Sequence, residues 1–422
     1  MSSSSRDRRK TYQASARPEW LARLNAEGEI LDSKNIVPLD EASLIDAACR
    51  SVGLQDFGEG PWRENLRVLL RSIEEEANLN LFGRIYTRSD LLLYLQNRLQ
   101  IIDWYKRHPE IEDEEITEPV FVIGLGRSGT TILQETLAQD DQFRFVQKWE
   151  ALFPCPPPEE RTYQSDPRIQ RAHDLITVQD RLAPQWKSQH AVGGNLPVDC
   201  LEFSPGSFQC DLFLASFQIP SYEAYLDTLD FTDYYLWHRK VLKLLQWRYK
   251  RKHWLLKGSN HLPVIPQLLK VYPDAKIIFP ARDPIVAVSS VVSVLGTIYS
   301  FRTDKLFINN GYEKWMLVDR IAEMLNQLVK WVEDGTLGRG HFSTIHYLEF
   351  SRDPIGAIRK LYTDLSLELT PEVEQRMAAY LKAKPKHVFG AHTYEVGTPE
   401  EIKEERALLA PYQSFFKVES EC

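Results

Sequence analysis

Phe121-Val-Ile-Gly-Leu-Gly-Arg-Ser-Gly-Thr-Thr131 joins an apolar run to a glycine-rich turn, and the apolar-periodic segment Ile132 to Leu137 follows it. A buried strand that empties into a glycine loop at the start of a helix is a way to hold phosphate. Backbone N–H groups converge on the anion, and the helix N-terminus adds partial positive charge. The loop carries Arg127 and the hydroxyls of Ser128, Thr130 and Thr131, but no lysine. Gly124-x-Gly126-x-x-Gly129 fits the dinucleotide fingerprint, and Gly124-x4-Gly129-Thr130-Thr131 fits a P-loop whose lysine has become threonine. A dinucleotide site needs an acidic residue about 20 positions further on. Strand-like Phe143 to Val146 runs through Gln147, Lys148 and Trp149 before it meets Glu150, a poor match. An NTPase needs the loop lysine, so Thr130 argues against ATP or GTP hydrolysis. A tight strand-to-helix turn without a ligand is the plain alternative.

A second constellation narrows the choice. Ala275-Lys-Ile-Ile-Phe-Pro-Ala281 reads as another buried strand, and it ends in Arg282-Asp283-Pro284. Asp283 suits an N-cap and Pro284 the first helical position. Ser290 then lies two turns along on the capping side, where it and Arg282 could grip one anion. An isolated cap with a surface arginine is the bland reading. A third piece is Trp254-Leu-Leu-Lys257, a short strand, followed by Gly258-Ser-Asn-His261-Leu-Pro263 and a helix-like Val264 to Tyr272.

Taken in order, these stretches resemble the sulfotransferases that use 3′-phosphoadenosine 5′-phosphosulfate (PAPS). The likeness is to a bacterial-type branch in which the loop arginine replaces a lysine, and it runs from about Glu118 to the C-terminus. The resemblance implies an α/β fold, a P-loop-like parallel sheet with helices on both faces, preceded by a helical N-terminal region. It implies PAPS as cosubstrate and no metal. Gly126, Arg127, Ser128, Gly129, Thr130 and Thr131 would cradle the 5′-phosphate, with the always-charged Arg127 aimed at the oxygen where charge develops. Arg282 and Ser290 match residues that hold the 3′-phosphate, Tyr347 a strand-end tyrosine near the nucleotide, and Lys386, beside His387, a late basic segment closing over it. His261 is the first candidate for general base and Lys257 for charge neutralisation; His190 and Asp199 are alternative bases. The insert Gly258 to Asn260 departs from the animal enzymes' spacing. A hydroxyl or amine of a small molecule, lipid or sugar would be the acceptor. An NAD(P)-dependent oxidoreductase and an inactive nucleotide-binding adaptor are the competing readings.

Composition sets bounds on these expectations. The chain has 422 residues, enough for a large core in one or two domains. A net charge of −8 argues against a general nucleic-acid binder, while one dianionic nucleotide needs only a local positive pocket. The five cysteines (Cys49, Cys155, Cys200, Cys210, Cys422) show no CxxC spacing, which suggests reduced thiols, a cytoplasmic setting and no metal site. No run of 18 apolar residues suggests a membrane span.

Three regions are expected. Residues 1–38 read as a flexible, serine-rich basic segment. Residues 39–115 read as a helical region with three amphipathic helices: one from Asp40 to a stop at Gly53, one opened by Pro61, and one starting near Ser89. Residues 116–422 read as the catalytic domain, entered through the acidic linker Glu110 to Glu115. Strands are expected at 119–124, 143–147, 253–257, 275–280 and 342–347. The aromatic-rich stretch from Trp186 to Trp237 reads as core in preference to an acceptor pocket, and the basic run around Arg239 to Lys252 as a solvated helix face.

Overall fold

The computed structural model describes residues 11–12, 16–189, 193–305, 307–308, 314–338, 340–384 and 397–422. His190 and Lys386 lie outside them.

Five strands form one parallel sheet: β1 (Val120–Val122), β2 (Phe143–Arg144), β3 (His253–Lys257), β4 (Lys276–Ala281) and β5 (Phe342–His346), in the order β2-β3-β1-β4-β5. All five fall within the spans expected from the apolar runs, give or take one residue. Continuous apolar runs suit a parallel sheet because both faces are buried. Val120 and Val122 face one layer with Leu255 and Ile278, while Phe121 and Ile123 face the other with Leu256 and Phe279. Helices cover both sides, as the resemblance implied.

The register decides where the site lies. Val122 pairs with Lys257 on one side and Ile278 on the other, and Ala281 pairs with His346. The glycine loop, Lys257, Arg282 and Tyr347 therefore all leave the sheet at its carboxyl edge, where ligands of open α/β sheets bind.

Helices α1 (Glu19–Ile30), α2 (Glu41–Val52), α3 (Trp62–Glu76) and α4 (Leu81–Arg107) precede the sheet. Helix α2 begins on the Asp40 cap and ends at Gly53, whose left-handed φ of 71° favours glycine. Two boundaries differ from expectation. Residues 19–30, read as part of a flexible segment, form α1, which docks by burying Leu21 against Phe301 and the aromatic ring of Trp186. Helix α4 starts eight residues before Ser89, because Asn80 caps it by accepting the Gly83 N–H at 2.7 Å. Gly83 packs so close to Arg302 that a Cβ there would sit 1.9 Å from its carbonyl oxygen.

Helix α5 (Thr130–Leu137) follows the loop, α6 (Thr232–Gln246) precedes β3, α7 (Pro284–Ser300) follows β4, and α8 (Val318–Glu333) and α9 (Pro399–Phe416) pack together further on. The basic face of α6 is not simply solvated. Lys240 and Lys243 pair with Glu112, and Lys250 with Glu114, so the acidic linker is laid along it. Charge complementarity fixes the segment that reads as a boundary in sequence. The aromatic stretch is core, as expected: Phe203, Phe208, Phe213, Tyr222, Tyr234 and Tyr235 are buried.

Candidate active site

The glycine loop closes on itself before it faces any ligand. The Ser128 hydroxyl donates to the Leu125 carbonyl at 2.7 Å, and Arg127 and Gly129 take left-handed φ values of 68° and 87°. Gly126 and Gly129 leave the loop room to pass: a Cβ on the first would lie 2.9 Å from Val291, and one on the second 2.8 Å from the Tyr347 ring. Thr130 and Thr131 open α5, so their N–H groups lie at its N-terminus.

Four of the expected residues meet at this edge. Arg127 donates from Nε to the Ser290 hydroxyl at 3.0 Å and from Nη1 to the Gln189 carbonyl at 3.0 Å. Arg282 donates from Nη1 to the Arg127 carbonyl at 2.6 Å, and its guanidinium lies 4.0 Å from the Tyr347 ring centre. Residues 127, 282, 290 and 347, distant in sequence, thus form one cluster. Asp283 caps α7 by accepting the Ile285 N–H at 3.1 Å, as its position before Pro284 implies.

On the far side of Arg127 opens a cavity of about 770 Å3. Its walls are largely apolar, with Phe82 and Tyr86 from α4, Ile176, and Val291, Leu295 and Ile298 from α7. Leu125, Gly126 and Arg127 belong to the same wall. Charged groups in the walls include two ion pairs, Lys148 with Glu202 and Arg302 with Asp90 at 2.5 Å, and Asp199, whose carboxylate pairs with Lys257. Lys257 is buried at the tip of β3 and holds the Asp199 carboxylate against the cavity.

His261 is not in this wall. The short helix Ser259–Val264 presents Ser259 and Asn260 to the cavity and turns His261 into the core. There its Nδ1 meets the Tyr235 hydroxyl at 2.8 Å, and Nδ1 of His238 meets the Tyr272 hydroxyl at 2.7 Å. The Nε2 atoms of both rings lack a hydrogen-bond partner among the described residues. Cys200 belongs to the same knot, its sulfur within 4.8 Å of the ring nitrogens. Ser259 and Asn260 thus take the cavity side of the 3-10 turn, and His261 falls on its inner face.

Burial pulls His261 down to about 3 and His238 well below the ordinary histidine range. In the unfolded chain both would titrate near 6.5, so the unfolded state takes up protons that the native core refuses. Their contribution is fully present above that value and is lost as pH falls from about 6.5 towards 3. Each histidine should remove up to about 1.4 kcal/mol per pH unit in that window. Urea unfolding at pH 7.5 and 5.5 checks this, and a midpoint that does not drop would contradict the burial argument. The variant His261→Leu should flatten the dependence.

Comparisons with known proteins identify the family. The family profile described as "Sulfotransferase family" matches residues 119–371, and the chain belongs to that family. Two curated relatives, the omega-hydroxy-beta-dihydromenaquinone-9 sulfotransferases Stf3 of Mycobacterium bovis and Mycobacterium tuberculosis, are each 26% identical over 269 residues. The match covers 59% of this chain and spans 63% of the length of those relatives. Among solved structures, sulfotransferase STF9 from Mycobacterium avium superposes with a TM-score of 0.75 at 24% identity, covering 90% of this chain and 97% of that one. Sulfotransferase STF1 from Mycobacterium tuberculosis superposes with a TM-score of 0.70 at 25% identity, covering 88% and 98%. Among the described residues no helix is long and apolar enough to cross a membrane.

Proposed function

We propose that the chain transfers a sulfuryl group from PAPS to the hydroxyl of an apolar, lipid-like acceptor. The observation that carries this reading is the position of Arg127. One edge of its guanidinium is tied to Ser290, beside Arg282, and its wall faces the apolar cavity. A donor gripped at the loop and at Arg282 would present its sulfur to an acceptor lying in that cavity. The loop fits such a donor, because its glycines clear the backbone and Arg282 already binds a carboxylate. The bacterial-type loop, with arginine in place of lysine, belongs to the same proposal. The lipid acceptor is supported by the apolar walls and by the relatives named for a dihydromenaquinone sulfotransferase.

In the reaction the acceptor oxygen forms a bond to sulfur as the bond from sulfur to the phosphate oxygen breaks. Adenosine 3′,5′-bisphosphate leaves, and the acceptor's proton goes to a base. Asp199 takes that role here, since its carboxylate reaches the cavity while His261 does not. Lys257 keeps Asp199 in place, and Arg127 meets the charge that grows on the leaving oxygen.

The dinucleotide reading loses support from two features. A dinucleotide fold sets its second strand beside the first, whereas β3 lies between β1 and β2. Glu150, the first carboxylate after β2, is fully buried in an ion pair with Arg144. Thermal-shift titration separates the readings. Adenosine 3′,5′-bisphosphate should raise the melting temperature where NAD and NADP do not, and Arg282→Ala should weaken the bisphosphate effect at least tenfold. A labelled-PAPS assay with long-chain alcohols then tests transfer, and Asp199→Asn should lower kcat by about 10²-fold or more with little change in bisphosphate affinity. Stabilisation by NAD alone would sink the proposal, and bisphosphate binding with no transfer to any acceptor would point to the adaptor.

A further inference from the structure

The segment after α9 carries a carboxylate to the anion-binding arginine. Helix α9 ends at Lys417, whose φ of 53° turns the chain back, and residues 418–422 run to the tip of β4. There Arg282 donates from Nε and Nη2 to the two oxygens of Glu421 at 2.9 and 2.8 Å, with the side chains 13% and 15% exposed. A guanidinium offers this two-pronged edge to carboxylate and to phosphate alike, and both cannot hold it together.

The seat of Glu421 does not depend on its own side chain. Asp283, fully buried, accepts the Glu421 N–H at 2.7 Å and two bonds from Arg406 at 2.8 and 2.5 Å. The Tyr412 hydroxyl of α9 donates to the Arg282 carbonyl at 3.2 Å. Backbone and neighbours thus fix the segment, and the carboxylate is what they deliver. The cap residue of α7 and the phosphate-gripping arginine adjoin in sequence, so docking on the first places Glu421 on the second.

We propose that Glu421 is a built-in competitor for the donor's 3′-phosphate: the nucleotide must lift this carboxylate from Arg282 to bind, so the segment sets donor affinity. The inference rests on the reading of Arg282 given under the proposed function. It explains how a guanidinium poised for a phosphate stays neutralised, and ordered, between turnovers.

Calorimetric titration of adenosine 3′,5′-bisphosphate and adenosine 5′-phosphate tests it with the wild type, Glu421→Gln, Arg282→Ala and the double variant. Glutamine keeps the size and the backbone seat but removes the charge. It should tighten the bisphosphate by about tenfold and leave the 5′-phosphate unchanged, and the gain should vanish when residue 282 is alanine. Unchanged bisphosphate affinity in Glu421→Gln overturns the proposal. Weaker binding also overturns it, and would make Glu421 a residue that aligns Arg282. Should neither wild type nor variants bind the bisphosphate, the donor reading itself fails and takes this inference with it, an outcome distinct from tight but Glu421-independent binding.

Discussion

Arg127→Ala should reduce the turnover number for sulfuryl transfer by about 10²–10³-fold, the loss seen when a single fixed donor to a developing oxyanion is removed. The geometry explains why one side chain carries so much. Ser290 and the Gln189 carbonyl hold the guanidinium from two directions, so it need not reorganise as charge develops. Lysine in its place should restore only part of the rate, because an ammonium on a flexible stem cannot span two oxygens in a fixed plane. Both residues are L-amino acids at a φ of 68°, so the substitution adds no new backbone strain. Losing the hydrogen bonds to Ser290 and the Gln189 carbonyl should cost about 1–3 kcal/mol of stability. Bisphosphate release measured at saturating PAPS, with urea unfolding as the control for folding, reads both effects. Undiminished turnover in a folded Arg127→Ala enzyme would remove the central catalytic assignment.

Arg144→Ala should be the most damaging change to stability, by about 3–5 kcal/mol. Arg144 and Glu150 pair with both side chains almost completely enclosed. The guanidinium lies 4.6–4.9 Å from the ring centres of Tyr163, Tyr249 and Trp254. Removing it strands a buried carboxylate that, among the described residues, keeps the Tyr163 hydroxyl and the Gln147 N–H as donors, each at 2.8 Å. Glu150→Gln in the Arg144→Ala background should recover part of the loss, since it removes the unpaired charge and leaves the hydrogen bonds. Urea midpoints for both variants measure this. A midpoint unchanged by Arg144→Ala would mean that solvent reaches Glu150. Since β2 is the edge strand next to β3, the variant should loosen the carboxyl edge of the sheet before it touches the loop.

The glycine loop, the five strands and the Asp283 cap were readable because their causes are local. Apolar runs bury both faces of a parallel strand, and a cap needs only the residues that follow it. Helical periodicity likewise puts position 290 on the capping side of α7, where Ser290 meets Arg127. Local patterns misled where partners came from elsewhere. The start of α4 is set by Asn80, and the linker at Glu112 and Glu114 is held by Lys240 and Lys243 of α6 and by Lys250 just after it, more than a hundred residues away. Nothing in the α4 sequence announces a role in chemistry, yet Phe82 and Tyr86 wall the cavity. His261 is the clearest case. Its motif placed it beside the loop, and the way the following turn packs on Tyr235 buried it.

The amino-acid order settled which strand, turn and helix would carry the glycine loop, because those preferences act over a few residues. It could not settle which carboxylate or histidine faces the cavity, nor that Glu421 lies on Arg282. Such contacts join segments separated by 58 residues for Lys257 and Asp199 and by 139 for Arg282 and Glu421. They exist only once burial and sheet register have brought those segments together.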